Sequence, residues 1–229
     1  MLNVLITGAN RGIGLELSRQ YAEDGDTVLA FCRSPQAAER LNELARRSEG
    51  RVIVYAMDVG DEGSIRAAAR RIGNQPIDIL INNAGIRGGE KQSLENIDTA
   101  DWIEAFKVMT IGPFRVVQAF LENLKRAGNP KIVTITTQIA ATTWPTGGFY
   151  SYGSAKAAVN RVMLALARDL RDQVTVTLVH PGWVKTDMGG PEADITPEES
   201  AAGIRKVIAS VSKADTGKFY KWNGDIHPW

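Results

Sequence analysis

Short aliphatic segments alternate with longer amphipathic segments along the whole chain, and this alternation constrains the fold more than any other feature. Each aliphatic segment is too short for a helix and apolar enough for a strand that is covered on both faces. Strands are predicted at 4–6, 28–32, 52–55, 77–81, 132–135 and 174–179, and helices at 12–24, 36–48, 62–72, 99–127, 152–171 and 197–209. Such alternation forms right-handed βαβ units. The sequence therefore predicts one α/β domain over residues 1–229, a doubly wound parallel sheet with helices on both faces.

Charge balance and cysteine content narrow the class of protein. With 27 Lys and Arg against 26 Asp and Glu, the chain lacks the basic excess on which phosphate-dominated nucleic-acid binding depends. Its one cysteine, Cys32, lies in an apolar run and is expected to be a small buried hydrophobic residue in a reducing compartment. No basic leader precedes the first strand, and no apolar stretch reaches the ~18 residues that a spanning helix needs. We therefore expect a cytoplasmic protein with no nucleic-acid partner and no membrane span.

A glycine-rich turn follows the first predicted strand. Residues 7–14 read Thr-Gly-Ala-Asn-Arg-Gly-Ile-Gly and lead directly into a helix. Glycines let the backbone approach a pyrophosphate, and the first turn of a helix offers free N–H groups and a positive dipole end. The spacing G-x-x-x-G-x-G differs from the G-x-G-x-x-G dinucleotide fingerprint, so a plain tight turn is the alternative. The candidate cofactor-binding residues of this turn are Gly8, Asn10, Arg11, Gly12, Ile13 and Gly14.

The ends of the next strands carry residues that would select the cofactor, because open α/β sheets bind ligands at that edge. Arg33 follows the second strand, where a protein specific for NAD usually has an acidic residue. Arg33 and Arg11 can pair with a 2′-phosphate, which predicts NADP(H) and makes NAD(H) the less favoured cofactor. The residues at which adenine and its ribose would pass are Asp58, Val59, Asn83, Ala84 and Gly85. For these residues, plain turn chemistry is the alternative.

Tyr152 and Lys156 lie near the start of the long helix that follows the fifth strand. Residues four apart lie on one face of a helix, so the phenol and the ammonium can point into one cleft. A neighbouring cation lowers the pKa of a tyrosine by stabilising the phenolate, which would make Tyr152 a usable acid and base. A Y-x-x-x-K match alone is weak. Thr137 at the end of the preceding strand and the segment 181–186 at the end of the next one strengthen it.

Taken together, these motifs resemble the short-chain dehydrogenase/reductase family over nearly the whole chain. The family patterns T-G-x-x-x-G-x-G, N-N-A-G, Y-x-x-x-K and P-G-x-x-x-T are met in family order by residues 7–14, 82–85, 152–156 and 181–186. The segments that look like the bacterial C-factor-like branch of this family are 110–114, 181–190 and 217–229. The resemblance implies a Rossmann-like fold, a nicotinamide cofactor and a small carbonyl or alcohol substrate.

The resemblance also implies a role for each matching residue. Tyr152 would give a proton to a substrate carbonyl oxygen, or take one in the reverse reaction, and Lys156 would bind the nicotinamide ribose. Thr137 stands where the family usually has serine, and its hydroxyl would stabilise the developing oxyanion. The cofactor-binding residues implied at the end of the sixth strand are Pro181, Gly182, Val184 and Thr186, the last two at the carboxamide.

One position departs from the family pattern. Met109 stands where the family usually has an asparagine that holds a proton-relaying water, and a thioether cannot donate a hydrogen bond. Thr110 or backbone groups would then take over the relay, or the chemistry would be slow. The alternative is a C-factor-like signalling protein that binds the cofactor with weak or no catalysis. An NADP(H)-dependent oxidoreductase is the favoured interpretation.

Several expectations concern surfaces rather than the reaction. Apolar faces on the helices at 110–127 and 152–170 predict a homodimer or homotetramer, although a face buried within one chain gives the same pattern. The unpatterned segment 187–197 is a candidate lid. The aromatic residues that could form an apolar substrate wall, with core packing as the alternative, are Trp144, Phe149 and Trp183. Neither histidine has a partner at metal-ligand spacing, so no metal site is expected.

Overall fold

A parallel sheet of seven strands, in the order β3-β2-β1-β4-β5-β6-β7, organises the molecule. The computed structural model describes all residues from 1 to 229. The strands are β1 Asn3–Thr7, β2 Thr27–Cys32, β3 Val52–Ala56, β4 Ile79–Asn82, β5 Lys131–Ile135, β6 Thr175–His180 and β7 Phe219–Lys221. Every residue of β4, β5 and β6 is buried, because helices cover both faces of the sheet.

Helices lie on both faces of the sheet, which confirms the predicted doubly wound fold. They are α1 Gly12–Glu23, α2 Glu39–Arg47, α3 Glu62–Ile72, α4 Thr99–Phe106, α5 Gly112–Lys125, α6 Tyr150–Asp169 and α7 Pro197–Ser210. Buried residues of α1, α2 and α7 share one apolar cluster with one face of the sheet, and those of α3 to α6 share the other. The strand order reverses between β1 and β4, so a crevice opens at the carboxyl edge there.

The predicted helix at 99–127 is interrupted. A π-helical segment, Lys107–Ile111, separates α4 from α5. Pro113 lacks the N–H that would bond to the Met109 carbonyl in a regular α-helix, which favours a change of hydrogen-bond pattern here. A Cβ on Gly112 would lie 2.6 Å from the Val59 carbonyl oxygen, so the helix also passes very close to the segment that follows β3. The widened turn carries Met109 into the region of the predicted site.

The last strand, β7, was not predicted because it is only three residues long. Phe219 and Tyr220 are buried, and the chain beyond them packs back on its own sheet. Trp222 fills the space between two glycines, since a Cβ would lie 3.1 Å from its ring at Gly182 and 2.5 Å from it at Gly203. The carboxyl end is therefore part of the folded unit.

His180, at the end of β6, is enclosed by this carboxyl-terminal segment. Its ring lies 5.8 Å from that of His227, and its buried Nδ1 has no hydrogen-bond partner. The pKa of His180 is lowered from 6.5 to about 4, mainly by burial and to a smaller extent by the nearby His227 and Lys221. Folding thus favours the neutral imidazole.

We expect this histidine to make the fold acid-sensitive. Its stabilising contribution is complete above pH 6.5 and is lost as the pH falls through about 4, which amounts to about 3 kcal/mol of unfolding free energy. Denaturant unfolding of wild type and His180→Phe at pH 7 and pH 4 measures it, because phenylalanine keeps an aromatic ring without the titration. An equal loss of stability in both proteins would contradict the assignment.

Candidate active site

A cleft of about 480 Å³ lies at the carboxyl edge of the sheet and crosses the point where the strand order reverses. The predicted site residues that line it are Gly8, Asn10, Arg11, Gly12, Ile13, Arg33, Asp58, Val59, Asn83, Ala84, Gly85, Tyr152, Lys156, Pro181 and Thr186. Those that do not line it are Gly14, Thr137, Gly182 and Val184. The structure therefore brings residues from positions 8 to 186 into one site.

The glycine turn, residues 8–14, is joined to the segment that follows β4. Gly8 has φ +67°, and a Cβ on it would lie 2.8 Å from the Cα of Ala84. The Thr7 hydroxyl accepts hydrogen bonds of 3.0 Å from the backbone N–H groups of Asn83 and Ala84. The Asn83 side chain donates back to the carbonyls of Thr7 at 2.9 Å and Gly8 at 3.1 Å. The Asn83 side chain is therefore used within the turn, as the alternative interpretation expected. Thr7 holds the two segments together and is a positioning residue that sequence analysis missed.

The start of α1 fits a phosphate group. Arg11 is the residue before the first helical turn, and its side chain makes no capping hydrogen bond, so the first-turn N–H groups are available to an anion. Gly12 has φ +53° and faces Thr186 across the cleft. Gly14 instead packs inward, where a Cβ would lie 2.3 Å from the Gly8 carbonyl oxygen. Gly12 thus keeps the cleft open, whereas Gly14 allows the close packing behind it.

The two arginines expected near a 2′-phosphate differ in their surroundings. Arg33 makes no ion pair, whereas Arg11 donates to Asp187 at 2.8 Å with both side chains exposed. Arg33 is therefore the uncompensated cation at this end of the cleft. Ser34 and Cys32 also line it there, although sequence analysis proposed neither as a site residue. Cys32 is buried, as expected.

Tyr152 and Lys156 lie together at the other end of the cleft, but their electrostatics differ from the expectation. Burial raises the pKa of Tyr152 to about 12, and a hydrogen bond with the Thr137 side chain opposes this rise. Burial lowers the pKa of Lys156 to about 8, and its Nζ donates to the Ile135 carbonyl at 2.8 Å. The expected lowering of the Tyr152 pKa by Lys156 is not seen in this structure: burial is the largest cause of the shift, and the ammonium bonds to the Ile135 carbonyl.

Met109 lies beside this lysine and is fully buried in the apolar cluster. A Cβ on Gly85 would lie 3.6 Å from Met109 Sδ and 3.8 Å from Lys156 Nζ, so the sulfur and the ammonium border the same glycine. The Thr110 hydroxyl, one of the two replacements considered for the proton relay, donates to the Ala155 carbonyl at 2.8 Å. The second alternative for the proton relay, backbone groups of the π-helical segment, remains open.

The segment after β6 is fixed to the opposite wall of the cleft. Gly182 has φ +86° and its Cβ position lies 2.6 Å from Ile195 Cδ1, while Val184 is buried and bridges to Ile195. Arg87 donates to the carbonyls of Asp187 at 3.1 Å and Met188 at 2.8 Å. The candidate lid at 187–197 therefore has two contacts across the cleft mouth, those of Arg11 and Arg87.

The aromatic residues considered for a substrate wall are exposed. Trp144, Phe149 and Trp183 are 41%, 47% and 48% exposed, so core packing is excluded for all three. By contrast, Val117, Phe120, Val159 and Met163 pack in the core of their own chain, which accounts for much of the apolar character of α5 and α6 without a partner subunit. None of the helices combines the length and apolar character needed to cross a membrane.

Fold and site together define a dinucleotide-dependent oxidoreductase: a doubly wound sheet, a glycine turn at its switch point, and a tyrosine and lysine one helical turn apart in the same cleft. A family model described as short chain dehydrogenase matches residues 2–195. The chain belongs to this family.

Three known proteins place the chain within the family. It is 36% identical over 167 residues to "C-signal" of Myxococcus xanthus, covering 72% of this chain and 100% of that protein. It is 31% identical over 240 residues to 1-hydroxy-2-glutathionyl-2-methyl-3-butene dehydrogenase of a Rhodococcus species, with 100% of both covered. The NADPH-bound carbonyl reductase from chicken fatty liver matches with a TM-score of 0.92 and 33% identity, covering 100% of this chain and 99% of the other. The predicted family and its C-factor-like branch are confirmed.

Proposed function

We propose that this oxidoreductase uses NADPH to reduce a small carbonyl compound to an alcohol, with Tyr152 as the proton donor. The observation that carries the proposal is the position of Tyr152, which lines the cleft together with Lys156 and hydrogen-bonds to Thr137. NADPH, when bound, supplies the hydride to the carbonyl carbon. The phenol gives its proton to the carbonyl oxygen, so the product is a neutral alcohol.

The protonation state of Tyr152 fits the reductive direction. With a pKa of about 12, the phenol is protonated at neutral pH and carries the proton that reduction consumes, while burial makes it a weaker acid than a free phenol. Thr137 does not itself line the cleft, but its side chain hydrogen-bonds to Tyr152 and would support the phenol and the oxygen on which charge develops. Lys156 has a pKa lowered to about 8 and stays mostly protonated at pH 7, where it can bind ribose hydroxyls and receive protons from solvent. A panel of aldehydes and ketones with NADPH, followed by absorbance, tests the reaction.

The uncompensated charge of Arg33 supports a preference for NADP(H). A hydrogen bond to a charged group contributes roughly 1.5–3 kcal/mol, so we expect Arg33→Ala to weaken NADPH binding about ten- to a hundredfold while NADH binding changes little. Fluorescence titration with both reduced cofactors measures this, with the exposed Arg168→Ala as a matched control. Equal losses for both cofactors would mean that Arg33 supports the turn rather than the phosphate.

For the proton relay we propose the backbone at Met109 rather than Thr110. The Thr110 hydroxyl is committed to Ala155, while Pro113 deprives the Met109 carbonyl of its α-helical donor. That carbonyl can accept a hydrogen bond from a water that also reaches Lys156. The thioether of Met109 takes no part.

A second candidate function is cofactor-dependent signalling with weak or no turnover. The similarity to C-signal and the methionine at position 109 favour it. It differs from the reductase in one respect that can be measured, since its cellular effect would survive the loss of the Tyr152 hydroxyl.

We also propose self-association through the surface formed by α4, the π-helical segment Lys107–Ile111 and the first turn of α5. Ile103, Ile111 and Phe114 are 64%, 44% and 39% exposed there, so this surface retains apolar groups that the chain itself does not cover. Sedimentation of the purified protein distinguishes monomer, dimer and tetramer. The cytoplasmic location stays a prediction that rests on the single buried thiol.

A further inference from the structure

We propose that Gln92 is a positioning residue that caps the start of helix α6 and thereby holds Tyr152 in place. Gln92 precedes Tyr152 by 60 residues and lies in the loop that follows β4. This inference rests on the proposed function, since Tyr152 is the residue whose position matters.

Helix α6 begins without a cap of its own. The residue before its first turn is Phe149, which has no side-chain acceptor and adopts a left-handed conformation with φ 52°. The first N–H groups of a helix have no partner within it, and a side-chain oxygen just before the helix usually accepts from one of them. The helix that carries Tyr152 and Lys156 must therefore obtain its cap from elsewhere in the chain.

Gln92 supplies the missing acceptor. Its Oε1 accepts from the backbone N–H of Tyr152 at 3.2 Å, the third residue of the helix and the position that a local cap would serve. The same oxygen lies 2.8 Å from the Ser151 hydroxyl, which is fully buried and also reaches the Gly88 carbonyl. With one proton, Ser151 donates to one of these two oxygens at a time. The bond to Tyr152 is therefore the one that depends on Gln92 alone.

The other end of the same amide fixes its orientation. Nε2 of Gln92 donates to the carbonyls of Arg87 at 2.6 Å and Gly89 at 3.2 Å. Donors lie on one side of the amide and acceptors on the other, so a flipped amide would oppose like groups at both ends. The loop therefore fixes the Gln92 amide through its Nε2, and the amide caps helix α6 through its Oε1.

The loop is too tightly packed against α6 to move independently of it. A Cβ on Gly88 would lie 2.7 Å from Ser151 Oγ, so the backbone of the loop touches the first turn of the helix. Arg87, in the same loop, donates hydrogen bonds to the carbonyls of Asp187 and Met188 across the cleft mouth. Loss of the Gln92 contacts should let Tyr152 drift relative to the wall of the cleft that this loop supports.

The experiment compares Gln92→Met, which keeps the length of the side chain but makes no hydrogen bonds, with wild type and with Gln75→Met. Gln75 is the matched control, since its side chain bonds to Asn3 and it does not line the cleft. We expect kcat for NADPH-dependent carbonyl reduction to fall roughly ten- to a hundredfold in Gln92→Met, because small displacements of a catalytic group are costly. NADPH affinity should change less than about threefold, and the Tyr152 amide should exchange with solvent at least about tenfold faster.

A third variant, Gln92→Glu, separates capping from general support of the loop. Its carboxylate keeps the acceptor for the Tyr152 N–H and adds a charge that a helix start favours, but it loses both donor contacts to the loop. We expect it to restore the protection of the Tyr152 amide and at least part of kcat.

The outcomes distinguish this inference from the proposed function. A wild type without NADPH-dependent turnover would refute the proposed function, whereas amide exchange would still test the cap. Unchanged exchange at Tyr152 in Gln92→Met would refute the cap. So would a kcat that stays at the wild-type value, a loss of kcat matched by Gln75→Met, or a Gln92→Glu variant that remains as defective as Gln92→Met.

Discussion

Tyr152→Phe is expected to lower the turnover of carbonyl reduction by about 10²- to 10⁴-fold, the range that a positioned general acid contributes. The substitution removes the phenol proton and keeps the ring, so the packing of α6 and the cleft wall should persist. NADPH affinity should stay within about threefold of wild type, because the ring and Lys156 remain. The loss should therefore appear in kcat rather than in cofactor binding.

Tyr150→Phe provides the matched control, since Tyr150 lies two residues earlier on the same helix, is 39% exposed and does not line the cleft. Steady-state rates with NADPH and one carbonyl substrate, together with a cofactor titration, measure both variants. Wild-type turnover in Tyr152→Phe would assign the proton donor to another group. A wild type that turns over no carbonyl, with a cellular effect that survives Tyr152→Phe, would instead establish the signalling function.

The strands and most helices could be predicted because their signals are local. Strands β1, β2, β4, β5 and β6 are covered on both faces and so are almost continuous aliphatic runs. The edge strand β3 is an aliphatic run as well, although it exposes Ile53. Helix α7 is preceded by Thr196, which forms a capping box with Glu199, and it begins at Pro197; the sequence displays both signals directly. By contrast, β7 has three residues and exists through its pairing with β6, so no periodicity could reveal it.

The motifs located the cleft but did not determine its electrostatics. The spacing of Tyr152 and Lys156 correctly placed both side chains in one cleft, because the periodicity of a helix is fixed. The pKa of Tyr152 depends instead on how deeply its hydroxyl is enclosed and on which acceptor the ammonium reaches. Lys156 bonds to the Ile135 carbonyl, a partner that is 21 residues away and that no motif encodes.

Long-range contacts explain the residues that sequence analysis missed. Thr7 holds a segment 76 residues away, and Gln92 contacts a helix 60 residues away. Both act through ordinary hydrogen bonds between residue types that are common in turns, so nothing local distinguishes them. Similarly, the π-helical segment needs Pro113 and the close approach of Gly112 to Val59 at once.

Within the glycine turn, Gly14 is the glycine that has the closest backbone contact behind it. A Cβ at this position would lie 2.3 Å from the Gly8 carbonyl oxygen and 2.5 Å from Asn83 Nδ2, and no side-chain rotation relieves the first contact because it is with backbone. The Gly8 carbonyl must move, which breaks its 3.1 Å bond from Asn83 and separates the two segments that form the floor of the cleft.

We therefore expect Gly14→Ala to lose about 1–3 kcal/mol of unfolding free energy, the usual cost of overpacking. Displacing the first turn of α1 should also remove about two hydrogen bonds to a charged phosphate, at roughly 1.5–3 kcal/mol each, so NADPH affinity should fall on the order of 10²- to 10⁴-fold. Gly128→Ala is the control, because a Cβ there meets nothing within 4 Å. Thermal unfolding of both variants measures the loss of stability, and NADPH titration measures the loss of affinity. A folded Gly14→Ala protein that binds NADPH like wild type would show that the turn adapts, and the close contact behind it would then not be what shapes the phosphate site.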